Sequence, residues 1–262
     1  MTTIDNSWMA NSSALVQAYA VHNDGLLGTV RQRLLARALD LHMPPGPQRV
    51  IDIGGGEGYQ ALSLAEAGHQ VVLLDPDPGM LDRARARLAE AKPEVAKRVE
   101  LVLGYGEQAV ELTGGGFDVV CCHGILMYVT DPEPLLRNVV GLARPGGLIS
   151  VLAKNAQAAA MRPAMEGRWS DALMVLRTGL DLGAHNVTSR SDTVEVVETL
   201  LAEAGAAPQV WYGLRVFCDH YGDAPVGPDF EELCELEWLA GMRDPYRRVA
   251  RLIHLLARRT DG

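Results

Sequence analysis

The chain has 262 residues, 48% of them hydrophobic and 22% charged, and a formal net charge of −9. This length suits one large α/β domain with an elaboration, and the acidic balance argues against a strongly basic nucleic-acid footprint while leaving room for a local basic patch. No apolar run is long enough to span a membrane, no signal pattern opens the chain, and the four cysteines form no C-x-x-C pair, so we expect a cytoplasmic protein with no metal site and no membrane contact.

An amphipathic helix is the first predicted element, over 26–41, because apolar residues recur there at helical spacing. The Pro-Pro-Gly-Pro sequence at 44–47 then breaks the chain. We therefore expect residues 1–45 to form a helical cap ahead of the first strand.

Strands and helices alternate over the next hundred residues, a rhythm typical of a parallel sheet with helical crossovers. Short apolar runs predict strands over 50–53, 71–74, 99–103, 117–122 and 148–153, and helices are predicted over 59–67, 79–91 and 134–143. The sequence therefore predicts a doubly wound α/β fold.

The alternation is interrupted over 156–190, which we interpret as a lid inserted within the domain. A helix over 192–204, a strand near 209–217, a helix over 229–242 and a final apolar run over 252–257 follow. We expect residues 1–262 to form a single domain that includes this lid.

The loop after the first strand is rich in glycine, and an acidic residue ends the second strand. Gly54, Gly56 and Gly58 allow a tight turn and a close approach of the backbone to a ligand. Asp75, at the carboxyl end of the neighbouring strand, can accept hydrogen bonds from both hydroxyls of a ribose. The pattern predicts a nucleoside-binding crevice.

The spacing of the glycines favours one cofactor class over another. A dinucleotide fingerprint reads G-x-G-x-x-G and places a pyrophosphate at a helix N-terminus, whereas this loop reads G-x-G-x-G. Asp52 and Glu57 would place negative charge beside a pyrophosphate. The phosphate-free, cationic S-adenosylmethionine suits such a loop, so a methyltransferase is favoured, with an NAD(P)-dependent oxidoreductase and a non-catalytic cofactor-binding protein as the alternatives.

These features together resemble the class I S-adenosylmethionine-dependent methyltransferases. Two further marks are Phe117-Asp118 at the start of the fourth strand and the Leu-Ala-Arg-Pro-Gly-Gly run at 142–147. The resemblance implies a Rossmann-like, mostly parallel sheet of seven strands. A closer likeness, to the CmoM family of tRNA wobble-uridine carboxyl methyltransferases, extends from about residue 20 to residue 259 and rests on Arg31, His123, Asn155, 213–217 with Asp219, 244–246 and 253–254.

The resemblance implies roles for individual residues. The cofactor would be bound by Arg31 at its methionyl carboxylate, Gly54 and Gly55 along the methionyl chain, Asp75 at the ribose, Gly106 and Glu107 at the adenine, and His123 near the sulfonium. Further candidates for cofactor contact are Asp52, Gly56, Gly58 and Pro76. Arg215 would anchor the carboxylate of the acceptor, because a planar guanidinium can hold it at both oxygens.

The nature of the acceptor stays open at this point. A carboxylate needs no general base because it is already ionised near neutral pH, whereas a phenol or alcohol would need one, for which His123 and His220 are candidates. The likeness to CmoM favours a tRNA acceptor. The net charge of −9 and the interspersed charges of the lid favour a small-molecule or peptide acceptor, as in natural-product tailoring.

Overall fold

The computed structural model describes residues 23–179, 181–182, 188–222 and 224–261. Residues 1–22 of the predicted cap, and 180 and 183–187 of the predicted lid, lie outside the described residues.

The described residues form ten helices and nine strands, apart from short 3₁₀ turns. The helices are α1 Leu26–His42, α2 Tyr59–Glu66, α3 Pro78–Glu90, α4 Pro93–Ala96, α5 Ala109–Thr113, α6 Glu133–Leu142, α7 Met161–Met165, α8 Trp169–Thr178, α9 Val194–Glu203 and α10 Phe230–Gly241. The strands are β1 Arg49–Ile53, β2 Gln70–Asp75, β3 Val99–Leu103, β4 Phe117–His123, β5 Ala143–Lys154, β6 Asp181–Leu182, β7 Thr188–Ser189, β8 Ala206–Leu214 and β9 Leu252–Arg259.

Seven strands form one sheet in the order β3-β2-β1-β4-β5-β9-β8. The first five of these pair in parallel, and β9 is antiparallel to both β5 and β8. The ends of β1, β2, β4 and β5 therefore meet at one edge of the sheet, together with the end of β8 and the start of β9. The predicted doubly wound, mostly parallel seven-stranded sheet is confirmed, and ligands bind at this edge in such folds.

Apolar residues cover both faces of the sheet, as a parallel sheet requires. One layer packs α1 and α2 through residues such as Leu34, Ala61 and Leu73. The other packs α6 and α9 through residues such as Leu136, Val197 and Ile253. The two layers leave the carboxyl edge of the sheet as the place where polar side chains can gather.

Several element boundaries differ from the sequence prediction, and two of these differences have identifiable reasons. Strand β5 begins at Ala143 rather than at residue 148, because Ala143 pairs with Phe117 before a bulge and Leu148 resumes the register opposite Val119. Strand β8 ends at Leu214 rather than at residue 217, because Arg215 adopts a left-handed φ of 63° and turns the chain.

That turn is held by a buried carboxylate. Glu237 on α10 is fully buried and accepts backbone N–H groups from Val216 at 2.6 Å, from Phe217 at 2.9 Å and from Cys218 at 2.8 Å. A left-handed conformation is unfavourable for a residue with a side chain, so these three hydrogen bonds stabilise the orientation of Arg215 that the turn creates.

Candidate active site

The glycine loop turns through two left-handed glycines directly after β1. Gly54 has a φ of 64° and Gly56 a φ of 55°. A Cβ on Gly54 would lie 2.7 Å from Cδ1 of Ile125, and one on Gly55 would lie 2.8 Å from Oδ2 of Asp52. A side chain at either position would collide with these neighbours, so the tight packing of the loop requires glycine at both.

Asp75 fixes the loop from the end of β2. Its Oδ2 accepts the backbone N–H of Gly56 at 2.9 Å, and its Oδ1 accepts that of Asp77 at 2.9 Å. Burial nevertheless raises the pKa of Asp75 to about 6, against the lowering effect of the two backbone N–H groups. The carboxylate keeps further lone pairs for a pair of hydroxyl donors.

A first cavity, with about 800 Å³ of empty space, opens beyond Asp75. Several predicted cofactor residues line it: Gly54, Gly56, Asp75, Pro76, Gly106, Glu107 and His123. Its remaining walls are apolar or aromatic, including Met80, Tyr105, Ile125 and Tyr128. These walls fit a nucleoside, with its flat, apolar nucleobase against the apolar residues and the hydroxyl groups of its sugar at the polar edge.

A second cavity lies on the other side of the glycine loop and shares Gly54, Gly56 and His123 with the first. It has about 520 Å³ of empty space and is also lined by Gly55 and by Asp52. The predicted residue Arg31 of α1 lines it too, and its Nη2 donates to Oδ1 of Asn23 at 2.6 Å. A cation and a carboxylate across one cavity suit a zwitterionic amino-acid group.

Asp52 lies beneath the loop with 3% of its surface exposed. Burial, reinforced by the negative charge of Asp75, raises the pKa of Asp52 to about 7. Two carboxyl groups with raised pKa values favour a cationic ligand, which would stabilise their ionised forms. The two carboxyl groups, Asp52 and Asp75, therefore suit the cationic S-adenosylmethionine.

Of the other two loop residues, Glu57 also lines the second cavity, whereas Gly58 lines neither cavity. Gly58 is the N-cap of α2 and has a φ of 79°, and a Cβ there would lie 3.2 Å from Cβ of Ala84 and 3.3 Å from Cδ1 of Leu73. Glu57 is buried and its Oε1 lies 3.2 Å from Nη1 of Arg83. The ion pair reduces the negative charge that Glu57 presents to the loop.

His123, at the end of β4, is hydrogen-bonded at both ring nitrogens. Nδ1 lies 2.6 Å from Oε1 of Gln60, and Nε2 lies 2.8 Å from Oγ of Ser150. Burial holds the pKa of His123 well below its ordinary value, and the charges of His254 and Arg31 lower it further. The ring is therefore neutral and has no free nitrogen to accept a proton from a substrate.

Arg215 lies in a third, smaller cavity, beneath α7, with about 280 Å³ of empty space. Its Nε donates to Oδ1 of Asp219 at 2.8 Å, and its Nη2 donates to the same oxygen. Burial alone would raise the pKa of Asp219, but Arg215 and Arg251 hold it below its usual value. Arg162 and His220 also line this cavity.

The third cavity is separate from the crevice, although both lie at the carboxyl edge. Three strand spacings separate β8, which ends beside Arg215, from β4, which ends at His123. At about 4.8 Å per strand this is roughly 14 Å. The structure does not bring Arg215 and His123 together.

Two residues of the site escaped the sequence prediction. Gln60 joins His123 to Asp52, since its Nε2 donates to Oδ1 of Asp52 at 3.3 Å. Ser150 is fully buried between His123 and His254. Its signal in the sequence is a lone hydroxyl within an otherwise apolar strand, since a buried polar group needs a partner.

Two features are absent from the described residues. No helix among them has the length and apolar character needed to cross a bilayer. Within the same residues, no group of three or more histidine, cysteine, aspartate or glutamate side chains is placed to bind a metal ion.

The sheet order and the acidic nucleoside crevice define an S-adenosylmethionine-dependent methyltransferase. A family described as a methyltransferase domain matches residues 51–149. The tRNA 5-carboxymethoxyuridine methyltransferase of Escherichia coli (strain K12) is 31% identical over 241 residues, which cover 90% of this chain and 90% of the relative. The chain belongs to the family of that enzyme, the CmoM family, and its cofactor is S-adenosylmethionine.

Other relatives support the same class. The ubiquinone biosynthesis O-methyltransferase of Xanthomonas axonopodis pv. citri (strain 306) is 33% identical over 125 residues, which are 48% of this chain and 51% of the relative. The crystal structure of magnesium protoporphyrin IX methyltransferase from Synechocystis PCC 6803, with bound S-adenosylhomocysteine, shares the fold with a TM-score of 0.62 at 14% identity, over 97% of this chain and 98% of that chain. The alternative of an NAD(P)-dependent oxidoreductase is not supported.

Proposed function

We propose that the protein methylates a carboxylate oxygen. The observation that carries this proposal is the state of His123, whose ring nitrogens both bond within the protein. A carboxylate is ionised near neutral pH and requires no base, whereas a phenol or alcohol would benefit from one. His220 lies in the cavity beneath α7, away from the crevice.

The residues of the crevice would then bind and orient the reactants. The cofactor supplies an electrophilic methyl group on a sulfonium. Asp75 would accept the ribose hydroxyls, Arg31 would pair with the methionyl carboxylate, and the glycine loop would let the cofactor lie against its backbone. The apolar walls formed by Ile125 and Tyr128 would keep water from the methyl group. Positioning of this kind supplies much of the rate of such a displacement.

We propose that Arg215 binds an anionic group of the acceptor. Its cavity carries three guanidinium groups, from Arg162, Arg215 and Arg251, against the carboxylate of Asp219. The separation of roughly 14 Å from the end of β4 favours contact with an anionic group of the acceptor other than the carboxylate that receives the methyl group. An acceptor of nucleotide size can reach both places.

The likeness to the E. coli enzyme supports a tRNA acceptor, bearing carboxymethoxyuridine, and hence a cytoplasmic reaction. A small-molecule or peptide acceptor is the second candidate, and the charges of the lid favour it. Arg162 pairs with Glu166 at 2.7 Å, and Arg168 pairs with Glu166 at 2.8 Å and with Asp171 at 2.5 Å. These pairs leave the described lid little uncompensated positive charge for RNA phosphates.

Mass spectrometry of nucleosides would test the proposal. An anticodon stem-loop with carboxymethoxyuridine and a matched stem-loop with plain uridine are incubated with enzyme and S-adenosylmethionine. We expect one added methyl group on the first RNA only, removable by mild alkali as an ester is. Methylation of both RNAs, or an alkali-stable product, would contradict carboxylate methylation.

Binding of the same stem-loop across a salt series separates the two acceptor classes. An RNA acceptor predicts affinity that falls steeply as salt rises, because bound counterions are released. If the RNA does not bind at low salt while a small carboxylic acid is methylated, the second candidate replaces the first.

A further inference from the structure

A continuous chain of buried hydrogen bonds crosses the sheet behind the crevice. It runs from His254 on β9 to Ser150 on β5 at 2.7 Å, and from Ser150 to His123 on β4 at 2.8 Å. It continues from His123 to Gln60 on α2 at 2.6 Å, and from Gln60 to Asp52 on β1 at 3.3 Å. Ser150 and His254 are fully buried and line neither cofactor cavity. The hydrogen bonds connect them to His123, Gln60 and Asp52, which do line a cofactor cavity.

The protons of this chain can point in one of two directions. In the first direction, Nε2–H of His254 donates to Ser150, the Ser150 hydroxyl to His123, Nδ1–H of His123 to Gln60, and the Gln60 amide to an ionised Asp52. In the reverse direction the Gln60 amide is turned over, so that its Oε1 accepts from a protonated Asp52 and its Nε2 donates to Nδ1 of His123. The remaining bonds are then inverted, and His254 carries its proton on Nδ1. Each direction satisfies all four bonds of the chain.

The far end of the chain decides between the two directions. Nδ1 of His254 is buried and has no hydrogen-bond partner in the described structure. In the first direction it is an unprotonated acceptor, and in the reverse direction it is a buried N–H donor with nothing to bind. A buried N–H without an acceptor is rarer in proteins than a buried acceptor without a donor. The first direction is favoured, with every proton pointing towards Asp52.

We propose that Ser150 and His254 are positioning residues that, through His123 and Gln60, hold Asp52 in its ionised form for binding the cationic cofactor. Hydrogen bonds aligned in one direction polarise one another, which strengthens the last bond to the carboxylate. The inference rests on the identity of the cofactor and is independent of the acceptor.

Other charged or titratable groups face Asp52 from the surrounding elements. They are Asp75 on β2, Cys121 and Cys122 on β4, and Arg31, Glu57, Tyr59 and His123 around the second cavity. Burial and Asp75 raise the pKa of Asp52 to about 7, and a bound cation favours the ionised carboxylate. Cofactor affinity should therefore fall as the pH decreases through this value.

Calorimetry with S-adenosylmethionine across this pH range tests the proposal in two variants. Ser150→Ala interrupts the chain, and His254→Phe removes its first donor while keeping a ring of similar shape. We expect the pH at which affinity falls to move upward in both, with affinity reduced roughly fivefold below neutral pH and nearly unchanged above it. The amine of the cofactor titrates in the same way with every variant. A change in the pH at which affinity falls, relative to wild type, therefore reports on the protein and not on the cofactor.

Val151→Ala is the matched control. Val151 is fully buried on the same strand as Ser150 but faces the opposite side of the sheet. It should lower the stability of the fold without moving the pH dependence of binding. If Ser150→Ala keeps the wild-type pH profile, or weakens binding equally at every pH, the proposal is overturned.

Nitrogen NMR of the wild-type histidines gives a test that needs no variant. The expected spectrum shows a neutral His254 with its proton on Nε2 and a neutral His123 with its proton on Nδ1. A His254 protonated on Nδ1 would reverse the chain and overturn the proposal, whatever the binding data show.

Discussion

Replacing Asp75 by asparagine removes the negative charge at the end of β2 and leaves one carbonyl oxygen in place of two carboxylate oxygens. Both oxygens already accept a backbone N–H, from Gly56 and Asp77, at 2.9 Å each. A hydrogen bond to a charged acceptor contributes about 1.5–3 kcal/mol. Loss of one such bond to a ribose hydroxyl should raise the Kd of the cofactor roughly tenfold to a hundredfold.

The same substitution should leave the free energy of unfolding nearly unchanged or increase it. Burial raises the pKa of Asp75 from 3.8 to about 6, so ionisation destabilises the fold progressively as the pH rises between these values. A difference of about two pKa units corresponds to about 3 kcal/mol. Asparagine removes this cost, while one backbone N–H loses its acceptor at a cost of about 1–2 kcal/mol. The variant should gain relative stability as the pH rises from about 4 to about 6.

Calorimetry with S-adenosylhomocysteine and urea unfolding of the same samples would measure both effects. Asp77→Asn is the matched control, because Asp77 is also buried and caps α3 by accepting the N–H of Gly79 at 2.8 Å. Asparagine caps a helix as well as aspartate does. The reasoning is refuted if Asp75→Asn binds with wild-type affinity, or if Asp77→Asn loses as much affinity as Asp75→Asn.

Three further substitutions test other parts of the site. Gly54→Ala should lower stability by about 1–2 kcal/mol and impair cofactor binding by moving Ile125. The control Gly46→Ala should lower stability alone, because Gly46 has a φ of 85° and an added Cβ would have no atom within 4 Å. Equal cofactor binding in the two variants, measured by calorimetry, would contradict this. With S-adenosylmethionine saturating, His123→Gln should lower turnover but keep the shape of the pH–rate profile with a carboxylate acceptor, since His123 takes no proton from the acceptor. Loss of a limb of that profile at saturating cofactor would show that it does. Arg215→Lys should raise the KM for an anionic acceptor about tenfold while the Kd of the cofactor stays constant, and the opposite pattern would place Arg215 at the cofactor.

The cofactor crevice was predictable because its parts are close in sequence or fixed by the alternation of strands and helices. The glycine loop and Asp75 lie at the ends of adjacent strands, and parallel pairing brings such ends together. The strong apolar runs likewise located all five parallel strands. Local pattern and overall fold agree here.

The remaining parts depend on register and on single backbone conformations, which sequence patterns do not reveal. The bonds of Ser150 to His123 and His254 require the pairing of three strands that are distant in the chain. The orientation of Arg215 depends on its left-handed φ and on Glu237, whose position on the apolar face of α10 beside Cys234 and Trp238 was the available signal. A carboxylate on a buried face implies donors nearby but does not identify them.

A crystal structure of the complex with S-adenosylhomocysteine tests the central claim most directly. We predict the ribose hydroxyls within hydrogen-bonding distance of Asp75, the base in the cavity beside Glu107, and the amino-acid group between Arg31 and Asp52. Asp75 turned away from the sugar, or the ligand bound outside both cavities, would contradict the account.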